Sequence, residues 1–156
     1  MKRLLLVLFL LALPVSAGLP GVQTLPGGEA GVTVGDPCVS TGIVKSSVPV
    51  NVVTVATTQL VALSGTQTIY VCGFQLSLTG ATTNTTAQFE YGTGAACGTG
   101  TTVLTGAMGG NSATSAVVVD MPPASTQLKT PAGNALCLVS AGTTVSIQGF
   151  VTYVQM

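Results

Sequence analysis

The side chains that could carry chemistry are few, and the four cysteines are the most informative of them. Cys38, Cys72, Cys97 and Cys137 are separated by 34, 25 and 40 positions. A zinc site needs paired ligands roughly two to four residues apart, and the chain has no histidine that could complete such a site. An even number of widely spaced cysteines in an exported chain predicts two disulfides instead.

Three pairings of these four cysteines are possible, and spacing alone does not select one. A hairpin between Cys72 and Cys97 would bring those two residues together, so we predict that Cys72 pairs with Cys97 and Cys38 with Cys137. Each bridge is worth about 2–4 kcal/mol, mainly because it restricts the unfolded chain.

Catalytic groups are almost absent from the sequence. Without histidine there is no Ser-His-Asp or Cys-His arrangement. A glycosidase needs two facing carboxylates, but nothing in the sequence brings Glu90 and Asp120 together, and Glu90 alternates with apolar residues, which predicts a solvent-facing side chain. These isolated acids also lack the clustered oxygens that calcium requires. We therefore predict no catalytic residue, no cofactor and no metal site.

Two short motifs have ordinary explanations. The sequence GTGAACG at 92–98 is similar to a phosphate-binding glycine loop, but such a loop precedes a helix and the following TTVLTG predicts a strand. We predict a tight surface loop there. Asn84-Thr85-Thr86 matches a glycosylation acceptor, which is occupied only in a host with that machinery.

Three tyrosines could stack on a sugar or contact a partner: Tyr70, Tyr91 and Tyr153. Strand alternation places each of them on the apolar face of its segment. We therefore predict that all three pack in the core.

The amino terminus has the three parts of a secretory signal peptide. Lys2 and Arg3 precede ten apolar residues, 4–13, and the small residues Val15 and Ala17 follow at the positions that signal peptidase reads. The apolar run is too short for a membrane span, which needs about 20 residues. We predict cleavage after Ala17, which leaves a single domain.

The mature chain carries very little charge. Lys45 and Lys129 remain against four carboxylates, a formal charge of −2. Two lysines cannot neutralise a run of phosphates or form a polybasic membrane patch, so nucleic-acid binding is not expected. No later stretch approaches the length of a membrane span, so stable membrane insertion after cleavage is not expected either. Low net charge favours association. We expect a secreted protein that forms a homo-oligomer.

The mature chain divides into two parts. Residues 18–47 are rich in glycine and proline and predict an extended amino-terminal segment. From 48 to 156 the pattern has a period of two, as in TIYVCGFQLSL at 68–78, where Tyr70, Cys72 and Phe74 begin an apolar face.

Eight or nine short strands separated by turns, with no helix, predict an all-β fold: an antiparallel β-sandwich with two disulfides. A jelly roll is our first choice of topology and a small barrel is the alternative.

Several pieces of the body resemble a group of small proteins encoded by bacteriophages and found in environmental sequences. The pieces are TQLVALSGTQTIYVCGF, AQFEYGTGAACGTGTTVLTGAM, TPAGNALCLV and GFVTYVQ, within residues 48–155. The resemblance implies a jelly-roll module of a virion, such as a decoration, fibre or spike component, and it brings no enzymatic residues. A virion protein assembled in the cytoplasm needs no secretory signal, so the signal favours a cell-surface protein or a virus that matures outside the cytoplasm.

Two functions are therefore expected. The first is a non-enzymatic extracellular or virion structural protein that self-associates. The alternative is an adhesin or a module that binds a receptor or glycan on a surface, through the loops at 79–86, 92–100 and 108–114.

Overall fold

The computed structural model of the protein describes residues 22–24, 30–32, 35–80, 84–110 and 116–156. The chain forms two units, Met1–Val34 and Gly35–Met156. In the first unit, β1 (Val22–Thr24) pairs antiparallel with β2 (Ala30–Val32). The predicted signal peptide and its cleavage position lie outside the described residues.

The second unit consists of two antiparallel sheets. Its strands are β3 (Ser46–Val52), β4 (Thr57–Val61), β5 (Ile69–Thr79), β6 (Thr85–Thr93), β7 (Thr99–Val103), β8 (Met108–Gly110), β9 (Val117–Met121), β10 (Leu128–Lys129), β11 (Ala135–Ala141) and β12 (Ser146–Gln155). The first sheet has the order β10-β5-β12-β3, with β9 also paired to β5. The second sheet has the order β4-β11-β6-β7, with β8 also paired to β6.

The predicted antiparallel β-sandwich is confirmed by the packing of these sheets. Side chains from both sheets form one buried core: Val50, Val52, Val61, Ile69, Val71, Phe74, Leu76, Leu78, Ala87, Phe89, Leu136, Leu138, Val145, Ile147 and Val151. Phe74 of the first sheet and Phe89 of the second meet with their ring centroids 4.9 Å apart. Aromatic pairs at this separation stabilise a core beyond the area that they bury.

A β-bulge interrupts β5 where it pairs with β12. Thr152 pairs with Gly73 and the next residue, Tyr153, pairs with Val71, so Cys72 has no partner across the ladder. An extra residue in one strand exchanges the two faces beyond it, because successive side chains point to opposite sides.

The bulge corrects the predicted apolar face of β5. Ile69 and Val71 join Phe74 in the main core, although their positions are odd and that of Phe74 is even. Tyr70 and Cys72 instead belong to a separate small cluster with Cys38, Ile43 and Val154. The single apolar face predicted for Tyr70, Cys72 and Phe74 is therefore wrong.

Both disulfides are present, but the predicted pairing is wrong. Cys38 is bonded to Cys72, and Cys97 to Cys137. The prediction assumed a hairpin between Cys72 and Cys97, whereas β5 and β6 lie in different sheets. The first bridge attaches the segment before β3 to β5. The second attaches the turn after β6 to β11.

Part of the predicted amino-terminal segment is folded against the first sheet. Asp36 accepts hydrogen bonds from the backbone N–H of Cys38 (2.9 Å) and of Thr126 (2.7 Å), and also from the Thr126 hydroxyl. The Thr126 hydroxyl is the main cause that lowers the pKa of Asp36. Residues 35–45 thus belong to the same unit as the sandwich, and β3 begins at Ser46.

Removing the aromatic contact between the sheets should destabilise the protein strongly. We expect Phe89→Ala to lower the free energy of unfolding by about 3–5 kcal/mol, because it opens a cavity in the centre of the core. Phe150→Ala is the matched control, since that ring is 41% exposed, and it should cost less than about 1 kcal/mol. Urea unfolding with both disulfides intact measures the difference. Equal losses of unfolding free energy in the two variants would show that the contact between Phe74 and Phe89 is not central to stability.

Candidate functional site

The two carboxylates that could have formed a catalytic pair lie in different sheets. Glu90 lies on β6 in the second sheet, and Asp120 lies on β9 in the first. Glu90 is buried and Asp120 is exposed. Among the residues that the structure describes, no group of three or more His, Cys, Asp or Glu side chains is placed to hold a metal ion.

The predicted exposure of Glu90 is wrong, because a turn covers its side of the sheet. A short 3-10 helix, Ala95–Cys97, packs against β4, β6 and β11, which are neighbours in the second sheet. Glu90 pairs across the ladder with Cys137, which is bonded to Cys97 of this turn. The disulfide thus holds the turn over Glu90, whose exposed fraction is 6%.

Burial raises the pKa of Glu90 above its ordinary value, because the ionised form is poorly solvated there. A hydrogen bond from the Thr57 side chain favours the charged form and offsets part of this effect. A single buried acid with a raised pKa is a candidate proton donor. Glu90 lies beneath the turn and does not line the cleft described below.

The glycine-rich segment at 92–98 forms a tight turn followed by a strand, β7, as predicted. A side chain at Gly92 would lie 2.6 Å from the carbonyl oxygen of Cys97, so the turn can fold back closely only over glycine. A phosphate site would need a helix after the glycines. The turn therefore serves to cover the sheet.

The tyrosines divide into two groups. Tyr153 packs against the main core, as predicted. Tyr70 and Tyr91 do not, and both are partly exposed at the rim of a cleft. The prediction of core packing is wrong for Tyr91, whereas Tyr70 packs against the small cluster of Cys38, Cys72 and Val154 rather than against the main core. For Tyr70, the reason is the bulge at Cys72, which turns it away from the main core.

The cleft has a volume of about 460 Å³, within the range of roughly 300–1,000 Å³ that small-molecule sites occupy. It lies beside the connection from β10 to β11, where the chain passes from the first sheet to the second. It is lined by Thr68, Tyr70, Tyr91, Lys129, Thr130, Pro131 and Ala132. Two phenol rings, one ammonium group and threonine hydroxyls give it the capacity to bind a polar ligand that also has apolar surface.

Backbone hydrogen bonds fix the wall of the cleft. Thr130 is buried, its N–H donates to the carbonyl oxygen of Ile69 (3.0 Å), and its hydroxyl accepts from the N–H of Ile69 (3.1 Å). Thr68 exchanges two backbone hydrogen bonds with Met156. Lys129 pairs in register with Tyr70. The lining is therefore held in place by regular strand pairing.

The remaining predicted sites are on the surface. Asn84 of the glycosylation motif is exposed, whereas the hydroxyl of Thr85 donates to the carbonyl oxygen of Thr79 (2.7 Å). Of the predicted binding loops, 92–100 is the covering turn, and 79–86 and 108–114 lie partly outside the described residues. No described residue of these three loops lines the cleft.

No protein-family model matches the chain, and no curated protein or solved structure is significantly similar to it. In the described part of the chain, no helix is long and apolar enough to cross a membrane. The fold thus defines the class of protein, a small disulfide-linked β-sandwich with a cleft between its sheets at one edge.

Replacing Glu90 should reveal the cost of burying its charge. Because its folded pKa is raised, native stability should fall as the pH rises above 4.5 and through that raised pKa. Glu90→Gln removes this dependence and leaves an acceptor for Thr57. We expect the variant to be more stable than the wild type at pH 7 and to lose that advantage below pH 4.5. Thermal unfolding from pH 3 to 8 measures the difference.

The comparison of the two proteins at each pH cancels the titration of Asp36, since that residue is present in both. A stability difference that stays constant over the whole pH range would contradict the proposed burial of a charged Glu90.

Proposed function

We propose that the protein is an exported, non-enzymatic structural component that associates with copies of itself through the edge strand β7. The proposal rests on two properties of this strand, its exposure and its lack of charge. All five residues of β7, Thr99–Val103, are exposed and none is charged. An edge strand with free backbone groups and no charge is a template for pairing with another chain.

The edges of the first sheet differ from β7 in a way that supports this choice. Strand β3 contains Pro49 and follows Lys45, and strand β9 contains Asp120 and precedes Pro122 and Pro123. Proline and charge on an edge strand are the devices that prevent pairing between molecules. Strand β7 has neither. The second sheet is thus the better candidate for contact with another copy.

Low charge and exposed apolar side chains add to the tendency to associate. The mature chain has two lysines and four carboxylates, so repulsion between copies is weak. On β7 itself, Val103 is 57% exposed. A second copy that paired with β7 would cover this side chain and would pair with the side of β7 that has no partner among the described strands.

The strand order supports a jelly roll as the topology of this component. Counting β7 with β8 and β9 with β10 as shared edge positions, the eight positions form two four-membered layers, and the chain changes layer at every step except from β6 to β7. Two Greek keys wound in this way form a double-sheet jelly roll, an architecture used in viral capsids and in lectins. The same fold serves many functions, so the proposal rests on the edge strand and not on the topology.

An extracellular location fits the covalent structure. The described chain has two disulfides and no free cysteine. Such bridges form and persist in oxidising compartments. Together with the predicted signal peptide, they support export to a cell surface or into a virion.

A module that binds a surface glycan is the second candidate function. The tyrosine-lined cleft favours it, because aromatic rings and hydroxyl groups together suit sugar binding. The two functions are compatible, since β7 does not contribute to the cleft lining.

A charge placed on β7 should weaken self-association. We expect Thr102→Lys to shift the mature protein from oligomer towards monomer, because a lysine on an edge strand opposes pairing with another chain. Ser47→Lys is the matched control, since Ser47 is also an exposed hydroxyl residue, on the edge strand β3. Sedimentation velocity over a concentration series measures the change.

The control should associate as the wild type does, and both variants should keep the wild-type melting temperature. A wild-type protein that stays monomeric at all concentrations would overturn the proposed function. An equal loss of association in both variants would show that β7 is not the interface.

A further inference from the structure

We propose that the cleft at Tyr70, Tyr91 and Lys129 binds an acidic sugar, with Lys129 pairing with the carboxylate and the tyrosine rings packing against the pyranose ring. The inference rests on glycan binding, the second candidate function, and the ligand class follows from three features of the lining: its charge, its hydroxyl groups and its lack of a free strand edge.

The charge of the cleft is positive in a protein with almost no cations. Lys129 and Lys45 are the two basic residues of the mature chain, and Lys129 is exposed at the cleft. Among the described residues, no carboxylate lines the cleft, so the ammonium group has no described acid beside it there. An anionic ligand is therefore favoured over a neutral or cationic one.

The rest of the lining suits a sugar. Tyr70 and Tyr91 are partly exposed, and within the described residues neither phenol hydroxyl has a hydrogen-bond partner. Each ring offers an apolar face and a polar tip. The C–H face of a pyranose can pack on such a ring while its hydroxyl groups bond to the phenol oxygens. Thr68 adds a side-chain hydroxyl at the same cleft.

A peptide is a poorer match to this cleft than a sugar. Extended peptides commonly bind by adding a strand to a free sheet edge. Here the edge of β5 at Tyr70 is already paired with β10, and the backbone of Thr130 is bonded to Ile69. The cleft thus presents side chains rather than free backbone groups. The same pairing fixes the lining before a ligand arrives, which lowers the entropy lost on binding.

Titration with tetragalacturonate, followed by amide chemical shifts of the mature protein, tests this inference. Saturable shifts should occur at residues 68–70 and 91, and at residues 129, 130 and 132. The neutral control is the fully methyl-esterified tetrasaccharide, which has the same ring and no carboxylate charge, and it should bind roughly 5-fold more weakly, the size expected for one exposed ion pair.

Lys129→Gln should weaken tetragalacturonate binding by a similar factor of about 5 and should weaken the binding of the ester by a smaller factor, because no ion pair is lost with the ester. Lys45→Gln is the matched control, because it removes the other lysine, whose sole hydrogen bond in the described structure goes to the Ser40 carbonyl oxygen. It should leave both affinities unchanged. Tyr91→Leu should weaken both ligands, and its thermal melt checks that it folds.

Several results would overturn the inference. One is the absence of cleft shifts at about 10 mM tetragalacturonate, a concentration that would populate even a millimolar complex. Another is an equal effect of Lys129→Gln and Lys45→Gln, which would indicate general attraction of an anion. A third is equal or tighter binding of an acetylated tetra-alanine peptide at the same residues, which would assign the cleft to a peptide carboxylate.

Discussion

The bulge at Cys72 is the constraint on which the rest of the structure depends. By exchanging the two faces of β5, it lets Ile69 and Val71 fill the core while Tyr70 and Cys72 turn away from it. Gly73 follows the bulge and allows a neighbouring segment to approach β5 closely. A side chain there would lie 2.6 Å from the carbonyl oxygen of Met121, so the chain after β9 could not approach β5 as closely.

Two functional features of the first sheet follow from that bulge. Cys72 points to the segment that it binds through Cys38, and Asp36 holds the same segment to Thr126. Tyr70 points to the cleft instead of the core. The second sheet has its own disulfide, which holds a turn over Glu90. Each sheet thus has its own disulfide. Neither bridge lies in the core between the sheets, because Cys38 and Cys72 belong to one small cluster and Cys97 and Cys137 to another.

The contrast between an apolar core and a polar but almost uncharged surface explains how a protein with so little charge can keep one structure. The contact between the sheets is apolar and includes the Phe74–Phe89 pair, whereas the outer surface depends on threonine, serine and glycine. Such a surface has few charges to oppose association, and in the proposed self-association the edge strands would select the face that contacts another copy. Proline and charged residues on or beside β3 and β9 oppose pairing at the edges of the first sheet, whereas β7 has neither proline nor charge.

Alternation of apolar residues is enough to predict the antiparallel sandwich and the core packing of Phe74 and Tyr153, because period two is a local property. The errors all involve register or contacts between distant segments. A bulge is visible only once β5 is paired with β12, so Tyr70 was assigned to the core. The covering turn over Glu90 and the true cysteine pairing depend on which sheet each strand joins, and neither leaves a local pattern.

Mapping the disulfides of the mature protein tests this account most directly. Cleavage after lysine and glutamate, without reduction, separates all four cysteines, because Lys45, Glu90 and Lys129 lie between successive ones. We expect mass spectrometry to find peptide 46–90 linked to the peptide that ends at Lys45, and peptide 91–129 linked to peptide 130–156. A link between peptides 46–90 and 91–129 would place Cys72 beside Cys97 and would contradict both the bulge and the division of β5 and β6 between two sheets.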